Sequence, residues 1–458
     1  MARPPDRPGP GNNVTSAPAA PGFRQACAYW LRLGFISFGG PAGQISIMHQ
    51  DLVERRRWIS EHRFLHALNY TMLLPGPEAQ QLATYIGWLM HGTAGGLVAG
   101  ALFVLPSLLI MMTLAGLYVT YHELPLVSGL FYGVKPAVVA IVLAAAHRIG
   151  TRSLATPFAR LIAVLAFLAL SVGHVPFPMI VAGAGAAGFI VARFRPGWLA
   201  VSALRDTASR AYGAALIDDD TPIPDHARFN WRRAVFFAVV GTALWCTVSV
   251  LLLLKFGWQG TFTQMGWFFT KAALMTFGGA YAVLPYVYQG AVQQFQWLTA
   301  TQMIDGLALG EATPGPLIMI VAFVGFIGGW NTAPLVPVMP VYAAVAGACT
   351  ATFFTFLPSF IFIFVGAPAV EATRHELRVS APLAAITAAV VGVVLNLAVF
   401  FAEHVFWPQG LEGDLETPAL VLGLLATVAL FRFRAGIIPL IAAAAAAGLV
   451  LKLTGVVP

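Results

Sequence analysis

The chain has 458 residues, of which 58% are hydrophobic and only 10% are charged, and its mean hydropathy is +0.78. Soluble domains carry about a quarter charged residues, so this composition excludes a soluble fold and predicts an all-α polytopic membrane protein. The formal net charge of +7 is assigned to loops that orient membrane helices, so no nucleic-acid partner is predicted.

The chain begins with a polar tail and continues into apolar stretches. Residues 1–22 are rich in proline, glycine and alanine without an apolar core, which predicts a disordered cytoplasmic tail and not a signal peptide. Several later stretches are long enough to cross the hydrocarbon layer of about 30 Å, alone or with their flanks. They are 97–119, 138–146, 161–172, 235–254, 386–401 and 420–430.

Two sets of motifs recur at a constant offset. Phe38-Gly39-Gly40 returns as Phe277-Gly278-Gly279, and Pro75-Gly76-Pro77 returns as Pro314-Gly315-Pro316, each 239 positions later. Further along, Leu105-Pro106-Ser107 matches Leu357-Pro358-Ser359 at an offset of 252. This predicts two homologous repeats. The predicted domains are the tail 1–22, a first repeat 23–194, a linker 195–230, an extra transmembrane helix 231–256 and a second repeat 261–458.

Basic residues predict the orientation. The arginine-rich linker is assigned to the cytoplasm, which also places Arg148 and Arg152 inside and the acidic stretch 403–416 outside. The Arg55-Arg56-Arg57 loop is then cytoplasmic, whereas its uncharged counterpart, 289–296, is external. Because the extra helix reverses the second repeat, the two halves are predicted to have inverted topology.

The motifs of the first repeat interrupt two segments, 23–49 and 61–90. Glycine permits a chain reversal and proline ends a helix, so each motif predicts a stop followed by a restart. Each arm has about 14 residues, or roughly 20 Å, which passes the midplane without crossing the membrane. We predict re-entrant hairpins whose tips meet near the midplane; discontinuous full spans are the alternative.

Helix restarts at membrane depth present unpaired N–H groups and the positive end of the helix dipole, which suits an anion rich in oxygen acceptors. The alternative is that these residues only kink the helices or allow close packing. The predicted substrate-binding residues are Phe38, Gly39, Gly40, Pro75, Gly76, Pro77, Phe277, Gly278, Gly279, Pro314, Gly315 and Pro316, with Gln80 and Gln81 as further donors.

Charged residues near the motifs are the remaining candidates. Arg32 and Lys271 occupy the same place in the two repeats and are predicted to bind the anion, unless they extend to the membrane interface. Glu78 and Glu311 are the proton-coupling candidates, with a local cap or an ion pair as the alternative.

No cofactor or metal site is predicted. His62 and His66 lack an intervening glutamate, and Cys27, Cys246 and Cys349 are far apart. A phosphate-binding loop and a nucleophile–base pair are also missing from the sequence, so neither ATP-driven transport nor an enzyme is predicted.

Four stretches resemble the signatures of the chromate ion transporter family in its long, two-domain form. They are 33–44 (LGFISFGGPAGQ), 75–83 (PGPEAQQLA), 276–285 (TFGGAYAVLP) and 311–316 (EATPGP). The resemblance implies a multi-pass protein of the bacterial inner membrane that exports chromate with the proton motive force and confers chromate resistance. A sulfate or other oxyanion transporter of the same architecture is the alternative. The implied partners are a small oxyanion and membrane lipid, and a homo-oligomer is left open.

Overall fold

The computed structural model describes residues 18–457 except 39, 123, 174, 195–211, 223, 278, 333–338, 373–380 and 411. Within these ranges the regular elements are helices, with one isolated bridge between Ile59 and Ile217. The predicted Gly39 and Gly278, the start of the tail and part of the linker therefore lie outside the described residues. The α-helices are α1 Phe23–Ile36, α2 Gly40–His49, α3 Glu61–Leu73, α4 Glu78–Tyr121, α5 Pro125–Ser153, α6 Pro157–Ser171, α7 Phe177–Phe194, α8 Trp231–Phe256, α9 Thr261–Leu274, α10 Ala280–Tyr288, α11 Ala300–Ala312, α12 Ile320–Thr332, α13 Pro340–Ala372, α14 Ala381–Phe406, α15 Thr417–Phe431 and α16 Ile437–Leu453.

Six of these helices, α4, α5, α7, α8, α13 and α14, are long and apolar enough to cross a membrane. The predicted apolar stretches fall in α4, α5, α6, α8, α14 and α15. The prediction of an all-helical polytopic membrane protein is therefore confirmed.

The structure interrupts the helices at all four motifs. The glycines at the breaks that it describes have positive φ angles: +69° at Gly40, +124° at Gly76, +101° at Gly279 and +102° at Gly315. Residues with a Cβ rarely adopt these angles, which explains why glycine stands there. An additional break that the sequence analysis missed lies inside α4, at His91 and Gly92.

The sequence also predicts two helix starts, at Ser60 and Thr299, each just after one of the tryptophans Trp58 and Trp297 that recur at the offset of 239. Ser60 accepts a hydrogen bond from the Arg63 amide at the start of α3. Thr299 and Gln302 form a reciprocal capping box at the start of α11. A feature not predicted is a π-helical turn before each of these starts, Gln50–Arg55 and Gln289–Gln294, again 239 positions apart.

The two sequence repeats are interlocked. Helix α5 packs against α15 and α16 of the second repeat, and α14, its counterpart in the second repeat, packs against α6 and α7 of the first. Helices α5 and α14 also pack against each other. Each repeat therefore buries its long central helix against the last two helices of the other.

The ends of the short helices of the first repeat gather at one face. The His91 ring lies 3.1 Å from the Pro21 carbonyl oxygen, and the His226 ring lies 2.9 Å from the Trp88 carbonyl oxygen. The Leu216 amide donates to the Arg57 carbonyl at 2.9 Å. In the second repeat, the Asn331 side chain donates to the Trp297 carbonyl at 2.9 Å. Thr332 bonds to Thr261 at 3.1 Å.

Candidate functional site

The breaks of the two repeats are joined by a reciprocal pair of backbone hydrogen bonds. The Gly76 amide donates to the Thr276 carbonyl at 2.8 Å, and the Gly315 amide donates to the Ser37 carbonyl at 2.7 Å. Both donors and both acceptors are related by the offset of 239. The Pro-Gly-Pro glycine of each repeat thus contacts the residue before the Phe-Gly-Gly motif of the other.

Polar side chains without exposed surface surround these contacts. The Gln44 side chain donates to the Gly315 carbonyl, and the Gln81 side chain donates to the Pro75 carbonyl at 2.8 Å. Within the described residues, the hydroxyls of Ser37 and Ser107 have no hydrogen-bond partner although both residues are fully buried. Buried polar groups normally have partners, so these two hydroxyls are free to serve a polar ligand.

A large cavity of about 570 Å³ reaches three of the four breaks. It is lined by Pro41 after the first break, by Glu78 after the second, and by Gly279 with Ala280 at the third. We call it the arginine cavity, because Arg148 and Arg152 of α5 also line it. Of the predicted site residues, it therefore brings Glu78 and Gly279 together.

Positive charge in the arginine cavity comes from two sources. Arg148 and Arg152 form no side-chain hydrogen bond or ion pair with any residue that the structure describes. Helix α10 begins at Ala280, so its unpaired amides and the positive end of its dipole lie at the cavity wall. Guanidinium groups beside a helix start favour an anion with several oxygens.

Of the two candidate carboxylates, Glu78 lines this cavity and Glu311 lies behind its wall. Glu78 is 8% exposed, stands at the start of α4 and forms no ion pair among the described residues. Glu311 is buried behind Tyr281, whose hydroxyl donates to it. Since Tyr281 itself lines the cavity, Glu311 is one hydrogen bond from the cavity wall. Neither carboxylate pairs with Arg32 or Lys271.

The structure does not bring Arg32 or Lys271 to the arginine cavity. Arg32 is exposed on α1. The Lys271 ammonium lies 5.7 Å from the centre of the Trp267 ring and borders a separate cavity beside Pro176 and Gln289.

The other predicted residues lie in the breaks themselves. Gln80 and Gln81 are fully buried; Gln80 donates to the Thr84 hydroxyl at 3.0 Å. Phe38 and Phe277 are half-buried. Gly315 packs against Ser107, and Gly76 packs against Ser359 and Gln81.

Several residues of the site were not predicted from the sequence. Arg148 and Arg152 served only to orient the helices, although an arginine toward the end of an apolar stretch is itself a signal. His49 and Tyr281 also line the cavity. The buried ion pair between Arg63 and Glu371, with nitrogen and oxygen 2.6 Å apart, gave no sequence signal because its partners are 308 positions apart.

The family model described as chromate transporter matches residues 24–189 and 263–449. A chromate transport protein of Cupriavidus metallidurans is 30% identical over 97% of this chain and 96% of its own length. A chromate transport protein of Pseudomonas aeruginosa is 33% identical over 87% of each chain. A probable chromate transport protein of Synechococcus elongatus is 29% identical over 89% of each. No solved structure matches the chain.

Proposed function

The chain belongs to the chromate transporter family, a family of membrane transporters, and from this premise we propose that it exports chromate across the bacterial inner membrane and confers chromate resistance. The observation that carries the proposal is the arginine cavity at the helix breaks, which is lined by the guanidinium groups of Arg148 and Arg152, by the start of α10 and by the buried carboxyl group of Glu78.

Chromate fits the chemistry of this cavity. It is a tetrahedral dianion, and its four oxygens can accept hydrogen bonds from guanidinium groups and from backbone amides together. The hydroxyls of Ser37 and Ser107, which have no partner among the described residues, lie at the reciprocal contacts between the repeats. We assign them as donors to the anion on its way past the breaks, alongside the amides of the break glycines.

The charge of the loops supports an outward direction of transport. Arg148 and Arg152 end α5 on the side that the positive-inside rule assigns to the cytoplasm. The arginine cavity therefore takes up its anion from inside the cell. Re-entrant hairpins are supported by the contacts that gather Pro21, Arg57, His91 and the linker at one face. Inverted topology is supported by the reciprocal hydrogen bonds and the interlocked packing of α5 and α14.

The membrane potential supplies a driving force with the required sign. Moving one charge through 100 mV changes its free energy by about 2.3 kcal/mol. The exit of a dianion from an inside-negative cell is therefore favourable by about 4.6 kcal/mol at that potential. We propose that Glu78 and Glu311 couple protons to this movement. An ionised Glu78 repels a dianion in the same cavity, whereas a protonated one does not.

The test uses everted membrane vesicles energised with NADH, in which export appears as uptake of radiolabelled chromate. We expect uptake that an uncoupler abolishes and that unlabelled chromate suppresses more strongly than sulfate does. Uptake no greater than in vesicles lacking the protein contradicts the proposal. Stronger suppression by sulfate would assign the transporter to sulfate instead.

A further inference from the structure

A second cavity, of about 390 Å³, lies at the other end of α10. Its lining includes Ser171, Tyr288, Asn396, Phe400 and Glu403. We call it the Glu403 cavity. Helix α10 and the π-helical turn that continues it connect the two cavities, with Gly279 and Tyr281 at the first and Tyr288 and Gln289 at the second.

The Glu403 cavity is the repeat-related counterpart of the arginine cavity. The offset of 239 carries His49 to Tyr288 and Ser46 to Pro285, and all four residues line their cavities. The offset of 252 carries Arg148 to Phe400. Corresponding faces of the two repeats therefore form the two cavities, and the arginine has become a phenylalanine in the second.

The two cavities differ in electrostatic sign. The arginine cavity has two guanidinium groups and the amide end of α10, against the single carboxyl group of Glu78. The Glu403 cavity has no lysine or arginine among its described lining residues; it has one carboxylate and borders Gln289 and Gln293 of the π-helical turn whose carbonyl end terminates this helix. Charge of one sign in a cleft concentrates the opposite ion, so a dianion collects in the first cavity and is repelled from the second.

We propose that the Glu403 cavity is the release vestibule of the transporter, and that Phe400 and Glu403 keep its affinity for a tetrahedral dianion low. This inference rests on the proposed export of chromate. Weak binding on the release side limits return of the exported anion, so the apparent KM for chromate differs between the two faces of the membrane.

The geometry around Phe400 indicates how affinity could be added. The Phe400 ring lies 4.3 Å from the Tyr288 ring and 3.9 Å from the His404 ring, measured between centroids. An arginine in its place can stack on Tyr288 while its guanidinium group reaches the cavity. Phe400→Arg thus restores the charge of the other repeat, and Phe400→Leu is the matched control that removes the ring without adding charge.

The experiment measures initial rates of chromate entry into right-side-out and everted vesicles with the full-length protein, at zero membrane potential. For the wild type, we expect a KM at least about tenfold higher in right-side-out vesicles, where the Glu403 cavity faces the medium. Phe400→Arg should lower that KM about tenfold and leave the KM in everted vesicles within about twofold. Phe400→Leu should lower neither.

Three outcomes overturn the inference: equal wild-type KM values on the two faces, a KM unmoved by Phe400→Arg, or the same fall in KM with Phe400→Leu. If Phe400→Arg does not reach the membrane, Glu403→Lys, at a half-buried position, provides the same test with the same expected fall. Absence of wild-type transport from both faces would instead contradict the proposed function.

Discussion

The position of Arg148 distinguishes two hypotheses for the anion site, in which the anion is bound either by Arg148 in the arginine cavity or by Arg32. It lines the arginine cavity and forms no ion pair among the described residues, whereas Arg32 is exposed on α1 away from that cavity. Arg148→Ala should raise the KM for chromate at least about tenfold, the loss of one hydrogen bond to a charged group. Arg32→Ala, measured in the same everted vesicles, should change it less than about twofold. A larger rise in KM for Arg32→Ala than for Arg148→Ala would instead place Arg32 in the anion site.

Glu78 provides a test of proton coupling at a single carboxyl group. The amide of Glu78→Gln has nearly the shape of the protonated acid but cannot release a proton. We expect chromate entry into everted vesicles to continue in this variant and to lose the pH dependence that a proton-exchanging carboxyl group gives the wild type. Glu412→Gln, at an exposed position in the loop before α15 and outside the arginine cavity, is the control and should keep the wild-type pH profile. An unchanged profile for Glu78→Gln would exclude Glu78 as the coupling group.

At the scale of elements, the breaks depend on glycine for backbone angle and for space. A Cβ at Gly76, where φ is +124°, would stand 2.4 Å from the Ser359 hydroxyl oxygen. We expect Gly76→Ala to lower the free energy of unfolding by about 2–4 kcal/mol and to abolish transport. Gly183→Ala in α7, where a Cβ meets no atom within 4 Å, is the matched control. Thermal unfolding in detergent should separate the two; equal melting temperatures would contradict the strain argument.

Helices α3 and α13 are tied together by the buried pair of Arg63 and Glu371, whose side chains are 5% and 2% exposed. The Tyr85 hydroxyl also donates to Glu371. Removing one partner of a buried pair costs about 3–5 kcal/mol, so Arg63→Ala should lower the melting temperature strongly. Arg228→Ala breaks the exposed pair with Asp225 and should cost about 1 kcal/mol or less. Similar melting temperatures for both variants would show that the buried pair does not stabilise the packing.

The sequence predicted the helix breaks and starts well because a few neighbouring residues decide them. Gly40, Gly76 and the capping box at Thr299 carry local signals. The cavity was not predictable in the same way. Helix α5 is apolar nearly all round, so its periodicity does not show that Arg148 faces a cavity. The hydrogen bond from Tyr281 to Glu311 also depends on how α10 and α11 pack, which no local pattern encodes.

Across the whole molecule, each repeat is stabilised by packing against helices of the other repeat. Since α5 packs on α15 and α16 while α14 packs on α6 and α7, neither repeat can bury its central helix alone. We expect a chain cut within 195–211 and produced as two fragments to assemble when both are coexpressed, and to take up chromate in everted vesicles. Either fragment alone should be degraded or inactive. Independent stability of one fragment, measured by its yield and melting temperature in detergent, would contradict the interlocked packing.

The reciprocal bonds from Gly76 to Thr276 and from Gly315 to Ser37 constrain the ancestry of this architecture. A chain with a single repeat has no second half to accept the amide of its Pro-Gly-Pro glycine, and an unpaired buried amide costs about 1–3 kcal/mol. Two copies of such a chain, each accepting the bond that the other donates, would remove both penalties. Gene duplication and fusion would then convert an obligate dimer into one polypeptide, after which the two halves were free to acquire unequal charges.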